Sequence, residues 1–263
     1  MKWLIVLSLP LLLWSKVHYA KVEPYTSVIL KSAVSGLVLE VDLDAEGTLV
    51  DSKRVIHLDD TLDKMNLKNS KENIDLLKKM LKINQNIATS LNGTLVRQEG
   101  YYRRISKLST ASKTQKDNAY SSFISAKTQY LNTREKIINL QKQIIDMHYK
   151  VAQLKDSISK KSLQLNNKYL YKLMVKEGDF VAPGSALAKV DDASRAKLVL
   201  FLEPDELKKI EQKIIYLNGE KTEYKVNKIW KIADEKFISS YRAEIYIPAP
   251  KGSFSQLMKV EIK

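Results

Sequence analysis

Val175-Lys-Glu-Gly-Asp-Phe-Val-Ala-Pro-Gly184 has an echo far upstream in the chain. Its Glu177-Gly178 followed by Phe180-Val181 matches Glu46-Gly47 followed by Leu49-Val50, at a constant offset of 131 residues. Each copy closes on a pair of aspartates, Asp59-Asp60 in the first and Asp191-Asp192 in the second. The spacing to those pairs differs by one residue, because Pro183-Gly184 stands in the second turn where Ser52-Lys53 stands in the first. Proline followed by glycine suits a type II turn, whose third position needs positive φ. Fragments this small cannot bury a core alone, so the two copies are expected to complete one another. If they pair, the intervening chain must leave and return.

That intervening chain has the composition of helix. No proline occurs between Pro24 and Pro183, and Gly93 and Gly100 are the only glycines from residue 61 to 167. A 3,4 spacing from Leu67 passes through Ser70, Ile74, Leu77, Leu81, Asn84, Ala88, Leu91, Leu95, Gln98 and Tyr102 to Ile105. A second runs Phe123, Ala126, Tyr130, Thr133, Ile137, Leu140, Ile144, Met147, Val151, Leu154, Ile158, Lys161 and Leu165. Narrow apolar seams held over several heptads are the signature of paired helices. Gly93 and Gly100 each cost an exposed helix about 1 kcal/mol and are expected to mark a bend.

Between the seams, Leu108-Ser-Thr-Ala-Ser-Lys-Thr-Gln115 is dense in Ser and Thr, with Ser112 and Gln115 at capping-box spacing. A helix reversal is therefore expected there. The register also continues through Ser109, Ser112, Lys116 and Ala119, which leaves one uninterrupted helix in a parallel dimer as the alternative.

Outside the seams, Val28–Leu30, Gly36–Leu43 and Tyr169–Val175 read as strands. Lys197–Leu202 is expected as a strand, Asp205–Gln212 as a short helix, and Tyr224–Trp230, Tyr241–Ile247 and Met258–Ile262 as further strands of a small β-barrel. The fold class expected is thus α+β: a long antiparallel helical hairpin in a split β-domain, followed by a barrel. Its parts are residues 1–20, 21–60, 61–167, 168–192 and 193–263.

Residues 1–20 hold Lys2 and then an uncharged, almost wholly apolar run from Trp3 to Trp14. This suits a signal peptide ending near Ala20, or an uncleaved anchor, and is short for a membrane span. The chain is basic, with a net charge of +14 and no cysteine. Disulfides, thiolate metal sites, cysteine nucleophiles and a lipid-bearing cysteine are thereby excluded. The positive excess is concentrated in residues 61–166, as a solvated helix face or a surface for an acidic partner. His18, His57 and His148 lack ligand-spaced partners, and the acidic turn Asp42–Glu46 reads as surface charge, so neither catalysis nor a metal or cofactor is expected.

Ala33-Val-Ser-Gly36, the hairpin, Val175–Gly184, Leu187-Ala-Lys-Val-Asp191 and Leu198–Leu202 together resemble the HlyD-like periplasmic adaptors, or membrane fusion proteins. The resemblance spans nearly the whole chain after residue 20. It implies lipoyl-like β halves with structural turns at Gly36, Gly47, Gly178, Pro183 and Gly184. The seam read from the 3,4 spacing, through Leu77, Leu81, Leu91, Leu95, Ile137, Leu140, Ile144 and Val151, supplies the hairpin. The implied subunit sits in the periplasm against the inner membrane and forms a ring, often of six. It joins an inner-membrane transporter, RND in preference to ABC, to an outer-membrane TolC-like channel.

The family's tip pattern is Arg, Leu four later, and Ser or Thr seven after that. Arg104 and Leu108 meet the first two positions, while the third falls on Gln115, one residue past Thr114. The tip residues taken over are Arg103, Arg104, Leu108, Ser112 and Thr114. The further membrane-proximal domain of some members is expected to be absent.

Two other classes remain in view. A lipoyl or biotin carrier would share the β halves, but its lysine-bearing turn is where the hairpin stands. A basic exported coiled-coil protein could bind anionic envelope surfaces without a channel, although it would have no need of the duplicated Glu-Gly turns. Nucleic acid is not an expected partner.

Overall fold

The structure is a computed structural model, and it describes residues 16–234 and 237–263. The expected leader thus falls mostly outside the described residues. The chain is α+β and divides into two compact units. One holds residues 40–56, 163–263 and those up to 32; the other holds 33–39 and 57–162. The division cuts through β2 (Gly36–Val41) and β4 (Lys53–Leu58).

The second unit is dominated by α1 (Thr61–Lys107) and α2 (Lys113–Lys160), 47 and 48 residues long. At 1.5 Å per residue each helix is about 70 Å long. Contacts at both ends show that they run antiparallel. Near the start of α1, Asp63 accepts from Lys161 at 2.7 Å and from Ser157 at 3.2 Å. At the other end Tyr102 stacks on Phe123, with ring centroids 5.8 Å apart.

All twelve positions of the first seam are buried or half-buried, and so are the twelve of the second from Phe123 to Lys161. Ser70, Ile74, Leu77 and Ala88 of α1 are buried, as are Ala126, Thr133, Ile137, Leu140 and Val151 of α2. Two polar seam positions are satisfied within their own helix. Thr133 donates to the carbonyl of Gln129 at 3.1 Å, and Asn84 to that of Met80 at 2.9 Å. Lys161 also reaches the carbonyl of Asp59 at 2.7 Å. The second seam ends one step before its expected last residue, because Leu165 belongs to a strand, β5 (Ser162–Leu165).

Gly93 and Gly100 do not interrupt α1. A Cβ on each would lie 3.8 and 3.6 Å from the guanidinium of Arg97 and of Arg104, so the side chain one turn on lies over the gap.

In the first unit, β3 (Thr48–Val50) pairs antiparallel with β6 (Lys168–Leu173), which pairs in turn with β8 (Ala186–Leu202). The early and late repeats therefore fold together. β1 (Val17–Lys31) lies along β8 from Val22↔Leu198 to Lys31↔Ala186 and along β13 (Leu257–Ile262) from Val17 to Lys21. With β9 (Ile215–Leu217), β10 (Glu220–Lys221), β11 (Lys228–Ala233) and β12 (Tyr241–Pro248), the path is β10-β9-β13-β1-β8-β12-β11. A second sheet has the order β5-β4-β2-β7, with β7 at Phe180–Val181.

Alternation explains the C-terminal core. Leu198, Leu200 and Leu202 are buried with Ala243, Ile245, Val260 and Ile262, while Val199 and Phe201 point to the other face. Ala20 and Val22 belong to the same core, so the expected boundary after residue 20 falls inside β1.

Three local readings are corrected. Asp205–Gln212 is not an α-helix: Lys209 is left-handed at φ 54°, and only a 3-10 turn at Ile210–Gln212 follows, with Ile210 held in the core. Tyr224–Asn227 lies outside strand, and β11 starts at Lys228. Gly36 is not a turn residue. It opens β2, where a Cβ would stand 3.3 Å from that of Leu58, so it permits close approach of backbone.

The other glycines do make turns. Gly47, Gly178 and Gly184 have φ of 74°, 88° and 92°. After Pro183, the Ser185 N–H donates to the carbonyl of Ala182 at 3.0 Å, which closes the expected tight turn. In the earlier copy Ser52 takes the left-handed position at φ 51°, so it is the counterpart of Gly184 and not of Pro183.

Candidate docking site at the hairpin tip

The reversal between α1 and α2 occupies Leu108 to Ser112, inside the Ser/Thr-rich stretch. α1 ends with Arg104 and Lys107 in its last turn, where cations oppose the partial negative charge of unpaired carbonyls. Its C-cap is Leu108, whose N–H donates to the carbonyl of Ile105 at 3.2 Å.

α2 has no acidic residue in its first turn, so its free N–H groups depend on neutral acceptors. Ser112 Oγ accepts from the Gln115 N–H at 3.2 Å, while Gln115 Oε1 accepts from the Ser112 N–H at 2.9 Å. This reciprocal box makes a sharp start to α2 possible in a basic segment.

Arg103, Arg104, Leu108, Ser112 and Thr114 are all exposed, and all lie within or beside the reversal. They are not equivalent. Arg103 is tied along its own helix to Glu99 at 2.5 Å, whereas the Arg104 guanidinium lies near Gly100. Leu108 is 48% exposed on the turn. The Ser112 oxygen is committed to the cap, which leaves Arg104, Leu108 and Thr114 as outward-facing groups. With Lys107, Lys113 and Lys116 nearby, the tip is basic.

Sequence reading missed the aromatic platform behind the turn. Tyr102 packs on Tyr120 at 5.3 Å and lies parallel to Phe123, the two planes 2° apart. Tyr101 and Tyr120 are about half exposed beside it. The signal was the clustering of four aromatic residues, Tyr101, Tyr102, Tyr120 and Phe123, on both sides of one turn.

Elsewhere, the described residues contain no group of three His, Cys, Asp or Glu able to hold a metal ion. Among them, no helix is long and apolar enough to cross a membrane.

No protein-family model matches the sequence, and no curated protein does. Solved structures do. MacA from Actinobacillus actinomycetemcomitans superimposes with a TM-score of 0.72 at 14% identity, over 95% of this chain and 78% of that one. The chain has the fold of the membrane fusion proteins.

A MacA-MexA chimeric protein containing the Pseudomonas aeruginosa MexA α-hairpin domain gives a TM-score of 0.56 at 15% identity, over 95% and 81% of the two chains. The membrane fusion protein Spr0693 from Streptococcus pneumoniae R6 gives 0.55 at 10% identity, over 95% and 98%. At such identities the likeness concerns backbone architecture, so roles of individual residues in this chain rest on the geometry above.

Proposed function

We propose that this chain is a periplasmic adaptor subunit of a tripartite efflux or secretion system. It links an inner-membrane transporter to an outer-membrane, TolC-like channel and carries out no chemistry of its own. The observation that carries the proposal is a capped, basic reversal at the end of two helices about 70 Å long. Such paired helices form a stiff spacer, and their seams leave the reversal free of core duty. In this reading the paired β halves are lipoyl-like, the C-terminal strands form the barrel, and copies close into a ring, probed as a hexamer. A ring of head-to-tail contacts lets one surface of each subunit serve both neighbours.

Arg104, Leu108 and Thr114 dock the channel, with Arg103 and Ser112 shaping the turn. Their basic surroundings fit a channel end that offers carboxylates, which favours rapid association at low salt. The test is photo-cross-linking in cells from a probe at Thr114, with and without Arg104→Glu. Loss of most of the channel adduct in Arg104→Glu, with helix content unchanged by circular dichroism, is the expected result. An undiminished adduct removes the tip assignment, and an absent adduct in the parent removes the channel. ATPase activity in the co-purified transporter would assign the pump to the ABC class and not to the RND class.

A further inference from the structure

The β11–β12 end of the nine-stranded sheet carries an unusual concentration of exposed apolar surface. Ile232 and Ile238 are 82% and 85% exposed, and Phe237 is 50% exposed. The Phe237 ring rests on Phe201 with centroids 4.3 Å apart. Beside them Trp230 lies under two cations, Lys228 at 4.3 Å and Arg242 at 4.9 Å from the ring centre. Phe201, Trp230, Ile232, Phe237 and Arg242 line a cleft of about 500 Å³. Singly exposed apolar residues need no explanation, but a cluster of this kind marks an interaction surface.

The position of the start of β1 says what that surface meets. Lys16 is ion-paired with Glu203, and His18 Nε2 lies 2.6 Å from Glu206 Oε1. The start of β1 is therefore held on the segment that follows β8. Glu203 in turn shares a second cleft with Ala233, Ile238 and Tyr241. In sequence the apolar run Trp3–Trp14 ends two residues before Lys16, whose partner Glu203 shares the cleft with Ile238. Three acids near this end are paired with bases, Glu203 with Lys16, Asp205 with Lys208 and Glu244 with Arg242, and Asp234 in the cleft itself accepts from the Phe237 N–H at 3.3 Å.

We propose that the β11–β12 end dips into the phospholipid surface to which the N-terminal run delivers the chain. Ile232, Phe237 and Ile238 enter the acyl boundary, and Trp230 sits at headgroup level. Lys228, over the indole ring, reaches outward to phosphates. Trp, with an apolar body and one N–H, prefers this interface, and basic side chains extend from it to the headgroups. A short apolar run alone gives reversible attachment, and a second inserted element makes it durable. The inference rests on the membrane-associated part of the proposed function and needs no channel.

The chain is free of cysteine, so single labels can be placed in the full-length protein. Ile232→Cys, Ile238→Cys and, as a control on the exposed face of α2, Gln141→Cys each carry an NBD fluorophore. Vesicles of phosphatidylethanolamine and phosphatidylglycerol, with or without brominated acyl chains, are then added. The labels at 232 and 238 are expected to shift to the blue and be quenched severalfold more than the label at 141. Ile232→Ser with Ile238→Ser is expected to weaken vesicle partitioning about tenfold with unchanged circular dichroism, because both side chains are exposed in the free fold.

Labels at 232 and 238 that stay as accessible and as unquenched as the one at 141 overturn the proposal. So does a label already shielded before vesicles are added and untouched by brominated lipid, which would mean that the chain's own N-terminal run fills the cleft. Quenching at 238 in a protein that yields no channel adduct keeps the lipid contact and removes the adaptor reading.

Discussion

The carboxylate of Glu46 accepts a hydrogen bond from the backbone N–H of Leu173 at 2.8 Å, across 127 residues of chain. Glu177 does the same more loosely, accepting from the N–H of Val41 at 3.4 Å. Each glutamate of the duplicated Glu-Gly pair thus meets a strand of the other copy, which gives the repeat a physical purpose. The following glycine turns the chain with positive φ, and the Gly47 N–H bonds the carbonyl of Leu170 at 2.8 Å. Glu46→Ala is expected to cost about 1 kcal/mol, the net worth of such a bond, and Glu177→Ala less. Urea unfolding compares them directly; no loss of stability in either variant would contradict the reciprocal arrangement.

Doubling back of the helices is measurable. Gln85 and Gln141 line one groove between α1 and α2. Spin labels on cysteines at these positions should lie within about 30 Å, whereas one straight helix with 1.5 Å rise would separate them by about 84 Å. Pulsed dipolar spectroscopy on a protein diluted with unlabelled chain reads the intramolecular distance and separates the hairpin from a parallel dimer.

Leu140 is 7% exposed at the seam. Leu140→Asp puts a carboxylate among apolar neighbours and removes their contacts, at an expected cost above about 3 kcal/mol. The hairpin should lose helicity and export should stop. Leu131→Asp, at a position 52% exposed on the same helix, should change stability by less than about 0.5 kcal/mol. Similar thermal midpoints for the two variants would defeat the seam.

Acid should weaken one closing aspartate. Asp192 accepts from the Ser194 hydroxyl at 2.7 Å and N–H at 3.1 Å and from Lys168 at 3.0 Å, and these bonds hold its carboxyl down at about 2. A carboxyl so depressed stabilises the fold above its unfolded value near 4 and ceases to do so as pH falls towards 2. Asp192→Asn is expected to lose up to about 1 kcal/mol at pH 7, as for a partly exposed ion pair. Its deficit relative to the parent should shrink in urea titrations at pH 3; a constant deficit would deny the carboxylate its role.

Local chemistry made much of this protein legible from its residues in order. The 3,4 seams depend only on which side chains recur on one helix face, so every helical seam position was found away from full exposure. The Ser112–Gln115 box depends on two residues three apart, and the glycine turns at 47, 178 and 184 on missing side chains. Tertiary structure alone decided contacts between residues from about twenty to about a hundred apart. It set the closeness of Leu58 that gives Gly36 its purpose, the clamp of Lys161 on Asp63, and the aromatic stack of Tyr102 on Phe123. It also turned Lys209 left-handed where a helix was expected, because burial of Ile210 outweighs the weak helical preference of a short segment. Neighbours in sequence set a residue's conformational preferences, but only the folded chain determines what stands opposite it.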